Sequence, residues 1–280
     1  MASSPPVSAV REYAGQAHYF LADRGSDYLV VYLHGLGGDY HQPLSLTRDA
    51  LETTGVSVLA PDARAHGRTT IIGPAHRFTT ASLADDVLTL IDELGLGDHK
   101  LIPIGISMGA AVCLDLARRY PDRVVGAVAI RPSFEIRPWP AHLRVFREIA
   151  SLLYRHGPAG ADRFEQGEAY RHVRAASPSA AASLLDQFTK PAALERVVRL
   201  ETVPGNIAVD WPETLSLGCP LKIVSAANDP GHPEYVAELW QDRIAHAGLI
   251  RVPSRDDDPQ SYARALEEAV FTSVNSWIES

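Results

Sequence analysis

The chain has little of what marks a secreted scaffold, a membrane protein or a nucleic-acid binder. Its 280 residues contain two cysteines, Cys113 and Cys219. Two are too few for a disulfide framework, and they point to a reducing, cytoplasmic setting with Cys113 buried on a helix. No apolar run reaches the length that spans a bilayer. Residues 1–15 lack the basic segment and apolar core of a secretory signal. Lysine stands only at positions 100, 190 and 222, so arginine carries most of the positive charge, a usage expected of a GC-rich bacterial genome. The formal net charge of −8 argues against nucleic acid or an anionic membrane as a partner. A P-loop is missing, the stretch 35–40 fails G-x-G-x-x-G at its last position, and no Cys/His spacing suggests zinc. The expectation is a small-molecule substrate, partly apolar, with no cofactor and no metal.

What is present is an alternation of strand-like and helix-like segments. Apolar, β-branched runs fall at 28–33, 56–60, 101–104 and 124–130, with helical spacing at 42–53, 82–94 and 110–120 between them. Continuous apolar runs fit parallel strands buried on both faces. The reading is an α/β fold, a mostly parallel sheet with helices on both faces. From 131 to 218 strand runs vanish, and helical patterns at 143–153, 164–173, 180–188 and 192–200 replace them. Strands resume at 221–225 and 249–252, followed by a helix with Tyr262, Leu266, Val270, Val274 and Trp277 on one stripe. The expected organisation is a core of residues 1–130 and 219–280, with 131–218 inserted as a helical cap.

The most informative residues are Gly105-Ile106-Ser107-Met108-Gly109. This G-x-S-x-G lies between a strand-like and a helix-like run, the setting of a serine held on a sharp strand-to-helix turn. Three other landmarks accompany it: His34-Gly35-Leu36-Gly37-Gly38, the stretch from Asp62 to Thr69, and Asn228-Asp229-Pro230. In this order the four resemble the α/β-hydrolase superfamily over nearly the whole chain. Tyr120-Pro121-Asp122-Arg123-Val124 is similar to the family's link from elbow helix to next strand.

The resemblance implies a serine nucleophile at Ser107 and an acid at Asp229. A serine hydroxyl is a poor nucleophile until a base takes its proton, and the base needs an orienting carboxylate. The backbone N–H groups of Leu36 and Met108 are the implied oxyanion donors. The departure from the family is the histidine. The loop where it usually stands reads Val252-Pro253-Ser254-Arg255-Asp256-Asp257-Asp258-Pro259, and the last histidine of the chain is His246.

His232, three residues after Asp229, is the replacement that the sequence favours as general base. As a plain structural residue it would open a helix in Gly231-His232-Pro233. His34 and His66 match structural positions of the family, and His41 and His76 are expected on the surface. An aspartate of 256–258 is a further base to weigh, although such runs are commonly solvated. Tyr262 is expected to pack with its hydroxyl exposed. Phe134, Trp139, Phe146, Tyr154 and Trp211 are core residues one by one, while some of them should line an apolar pocket. Arginines 137, 144, 147, 155, 163, 171 and 174 read as a solvated face.

Three functions follow, and fold does not decide among them. The first is a serine hydrolase of an ester, lactone or thioester with a displaced base. The second is a lyase, cyclase or isomerase on the same scaffold, with Ser107 polarising rather than attacking. The third is a ligand-binding protein without turnover.

Overall fold

Alternating side chains along six apolar strands feed two cores, one on each face of a single sheet. The computed structural model describes residues 7–8, 15–52 and 54–279. Its main sheet comprises β1 (Tyr19–Ala22), β2 (Tyr28–Leu33), β3 (Ser57–Pro61), β4 (Lys100–Ile106), β5 (Ala127–Ile130), β6 (Leu221–Ala226) and β7 (Gly248–Val252). The spatial order is β1-β3-β2-β4-β5-β6-β7. Only the β1–β3 pairing is antiparallel. The carboxyl ends of β2 to β7 therefore share one edge, where ligands bind in open α/β sheets.

In β2, Leu29, Val31 and Leu33 enter one core while Val30 and Tyr32 enter the other. The first core is closed by α2 (Thr80–Glu93), α3 (Met108–Arg119) and α9 (Glu234–Arg243). The second is closed by α1 (His41–Glu52) and α10 (Pro259–Ile278), which also pack on each other. Cys113 is fully buried on α3. Among the described residues no helix is long and apolar enough to cross a membrane.

Between β5 and β6 the chain forms α4 (Val145–His156), α5 (Gly160–Glu165), α6 (Glu168–Ala176), α7 (Pro178–Thr189) and α8 (Val198–Thr202). These helices have a small core of their own, centred on Ile149, Leu153, Phe164, Phe188 and Leu200. The pattern read at 164–173 is two helices, because Gly167, extended at φ −74° and ψ 158°, separates α5 from α6. The stretch read at 192–200 is mostly turns, with α8 beginning only at Val198. Two elements had not been anticipated. Strand β1 is a short antiparallel edge, and α9 presents only Val236, Ala237 and Trp240 as its buried side.

Candidate active site

The position of Ser107 is set by backbone sterics. Strand β4 ends at Ile106, and Ser107 turns the chain into α3 at φ 55° and ψ −108°. A non-glycine residue held there costs about 1–3 kcal/mol, so its surroundings must enforce it. They do. The Ser107 N–H donates to the Ile130 carbonyl at 2.9 Å. A Cβ on Gly105 would lie 2.1 Å from the Gly109 oxygen, and one on Gly109 would lie 2.1 Å from the Leu33 oxygen. Both glycines are thus required by the close approach of α3 to β2 and β4. The next two strands also give way to left-handed residues, Arg131 (φ 49°) after β5 and Asn228 (φ 55°) after β6. Three strained turns face one cavity.

The turn after β6 carries a carboxylate–imidazole pair. His232 Nδ1 lies 2.9 Å from Asp229 Oδ2, which assigns the proton to Nδ1 and leaves Nε2 as the acceptor. Arg131 donates to the same Oδ2 at 3.1 Å, and the Gly231 N–H donates to Oδ1 at 3.1 Å. Burial alone would raise the Asp229 carboxyl. His232, Arg131 and the Gly231 amide outweigh it and hold the group well below the usual carboxylate range.

Ser107 and His232 line the same cavity, together with Asp229 and Leu36. The cavity holds about 1090 Å³ of empty space, its open mouth counted. Its apolar wall includes Phe134, Leu143, Phe146, Leu184 and Val203. The serine hydroxyl is 3.0 Å from the hydroxyl of Ser133. The Ser133 carbonyl in turn accepts from His142 Nε2 at 2.8 Å, and His142 Nδ1 is 3.4 Å from the Tyr235 hydroxyl. Burial keeps His142 below the ordinary histidine pKa despite that carbonyl contact. Sequence reading passed over Ser133, His142 and Arg131. The available signal was position: residues 131 and 133 directly follow β5 at the edge where Ser107 follows β4.

The glycine-rich loop is pinned by Gln42, whose Oε1 accepts the Gly35 N–H at 2.7 Å. Leu36 donates its N–H to no group among the described residues. Met108 opens α3, where the first amides of a helix lack internal acceptors. His34 joins two loops: its Nδ1 is 2.8 Å from the Gly35 oxygen, and Nε2 accepts the Ala63 N–H at 3.0 Å. His66 is buried with Nδ1 2.7 Å from the Arg64 oxygen, while His41 and His76 are exposed.

The loop after β7 uses all three aspartates structurally. Asp256 accepts from the Ser177 hydroxyl, from Ser179 N at 3.0 Å and from Ser179 Oγ at 3.0 Å, fastening the start of α7. Asp257 accepts from Asn228 Nδ2 at 2.9 Å, and Asp258 caps α10 through Ser261 N at 3.0 Å. The expectation of an exposed Tyr262 hydroxyl is corrected: Tyr262 is 2% exposed and its oxygen is buried without a partner, because α10 packs flat on the sheet. Of the five aromatics, Phe134 and Phe146 line the cavity. Trp139 lies 3.6 Å beneath the Arg147 guanidinium, Trp211 is 5.7 Å from Trp240, and Tyr154 is exposed. The seven arginines read as a solvated face are exposed.

The chain is similar to known hydrolases. The sequence model described as alpha/beta hydrolase fold matches residues 28–255. The pimeloyl-[acyl-carrier protein] methyl ester esterase of Aromatoleum aromaticum is 29% identical over 237 residues, covering 79% of this chain and 88% of that protein. Protein ABHD8 of Homo sapiens is 30% identical over 120 residues, 39% of this chain. That match spans only about a quarter of ABHD8 (26%). Among solved structures, the enol-lactonase from Burkholderia xenovorans LB400 superposes with a TM-score of 0.69 at 20% identity, covering 99% of this chain and 100% of that one. The sequence match, the strand order and the strained serine turn agree: the chain belongs to the alpha/beta hydrolase fold family.

Proposed function

We propose that the chain is a cofactor-independent serine hydrolase of an ester, lactone or thioester, with its general base moved onto the turn after β6. The observation that carries this reading is the 2.9 Å contact between Asp229 and His232 in the cavity that also exposes Ser107. In this mechanism the Ser107 hydroxyl rotates from Ser133 toward His232. Its oxygen attacks the acyl carbon as its proton passes to Nε2, and Asp229 balances the imidazolium. The developing oxyanion takes hydrogen bonds from the Leu36 and Met108 amides. Collapse returns the proton to the leaving alcohol or thiol, and water then releases the acid by the same route. Residues 131–218 act as the cap, and their apolar wall favours a small, partly apolar acyl or ring group.

A fluorophosphonate probe tests the reading. One equivalent is expected to label Ser107, with labelling lost in Ser107→Ala and slowed by orders of magnitude in His232→Ala. Labelling at the wild-type rate in His232→Ala sinks the assignment of the base.

One observation favours a second reading. The hydroxyl partner of Ser107 is Ser133 rather than an imidazole. In a lyase, cyclase or isomerase, this pair would hold a substrate carbonyl while Asp229 and His232 move a proton. Turnover of a native substrate that survives Ser107→Ala selects that reading over hydrolysis.

A further inference from the structure

Behind the glycine-rich loop lies a second cavity that shares no lining residue with the first. It holds about 550 Å³ of empty space, its open mouth included. Two arginines line it, Arg196 from the turns before α8 and Arg199 from its first turn, and both are almost wholly buried: Arg196 is 7% exposed and Arg199 1%. Among the described residues neither makes an ion pair. Arg196 donates to the Gly67 oxygen at 2.8 Å and the Thr69 oxygen at 3.0 Å. Arg199 reaches the Ala65 oxygen at 3.4 Å, the Arg196 oxygen at 3.3 Å and Gln187 Oε1 at 3.3 Å. Those bonds tie the helical segment to the core, yet they leave both Nε atoms without partners.

Arg68 and Lys190 add two further cations to the lining, and among the described residues Lys190 pairs only with Asp186, at 4.0 Å. The lining carboxylates, Asp39 and Asp62, are already engaged. Asp62 accepts from His18, Tyr40 N and Arg68 N, and Asp39 accepts from the amide and ring of His41. Four cations thus face two occupied carboxylates in a chain of net charge −8. Burial, and then Arg196, pulls the Arg199 guanidinium down to about 10, the mark of a cation without a counter-charge.

The last titratable lining group adds no charge. His66 is 2% exposed, its Nδ1 donates to the Arg64 oxygen, and its Nε2 is an unpartnered buried acceptor. Burial first, then His34 and Arg199, keeps it neutral. The lining thus carries four cations against two carboxylates, an excess of two positive charges. A carboxylate brings only one negative charge to that excess. A phosphate, with a second pKa of about 6, brings about −1.5 to −2 at neutral pH. We propose that this cavity seats a phosphate group, either the free ion or the end of a phosphate monoester.

The test is calorimetric titration of the full chain with inorganic phosphate, ethyl phosphate and acetate at constant ionic strength. One phosphate per chain is expected, with affinity unchanged in Ser107→Ala and about tenfold weaker in Lys190→Gln and in Arg68→Gln, each of which removes one charged contact at the rim. These two carry the test if the buried variant Arg196→Lys fails to fold. Where Arg196→Lys does fold, it is expected to weaken binding despite the kept charge, because the guanidinium fork is lost. Ethyl phosphate binding at least as tightly as phosphate identifies a monoester site; its exclusion with phosphate retained identifies a site for the free ion. No saturable phosphate binding overturns the proposal. So does acetate binding as tightly as phosphate, or an affinity that follows Ser107→Ala instead of the rim variants.

Discussion

The two walls of the main cavity are built on different principles. On the Ser107 wall, backbone contacts fix the serine: Gly105 and Gly109 leave no room for a Cβ, and the turn holds φ at 55°. On the opposite wall, side chains fix the pair: Asp229 is gripped by Arg131, by the Gly231 amide and by His232. Backbone sterics allow one place for the serine. Side-chain contacts allow any loop at the carboxyl edge to supply an imidazole. In the proposed mechanism the loop after β7 is released for another task, and its Asp256 spends the carboxylate on α7.

The sharpest way to break this comparison is Ser107→Ala. Loss of a nucleophile is expected to cost at least about 10⁴-fold in turnover of a model ester. A smaller drop, measured as kcat/KM, means that the strained turn is not where the chemistry happens. Next comes His232→Ala, expected to slow acylation about 10²–10⁴-fold with little change in thermal stability. Rapid-quench measurement of the acylation burst separates that step from deacylation.

Asp229→Asn probes the same wall through stability, because it leaves Arg131 buried without its partner. The expected loss is about 3–5 kcal/mol in urea unfolding near neutral pH. The sign of its pH dependence follows from the depressed carboxyl pKa in the fold. Asp229 contributes stability fully above the unfolded carboxylate value of about 3.9, and that contribution fades as pH falls below it. Wild-type unfolding midpoints should therefore fall on acidification below about pH 4, and the Asp229→Asn variant should lose that part of the slope.

The smallest effect is expected from Asp256→Ala, which removes the acceptor of Ser177 and Ser179. About 1–2 kcal/mol of stability should be lost, as for a missing helix cap, with turnover little changed. A collapse of turnover equal to that of His232→Ala places the base on the wrong loop.

How much was legible in the sequence follows the same division. The strands were readable because burial on both faces writes itself as unbroken apolar runs, as in β2 and β4. The serine turn was readable because its sterics demand two glycines at a fixed spacing. Asp229 and His232 lie three residues apart on one turn, so their pairing was within reach of the chain itself. Arg131 and Ser133 were not, since only the sheet brings residue 131 to Asp229 and residue 133 to Ser107. Arg196 and Arg199 carry no mark in the sequence that sets them apart from the exposed arginines before them, and only packing against residues 65–69 buries them. Strand β1 is too short, and the buried side of α9 too narrow, to leave a periodic mark.

The ties on the helical segment have a kinetic consequence. Asp256 fastens it at the start of α7, and Arg196 fastens it beside the 67–69 turn. A roof bolted at two corners has little freedom to swing aside and admit a guest. For the proposed hydrolase, discrimination by bulk then falls on the width of the doorway, which is expected to turn back oversized acyl groups before they meet the serine.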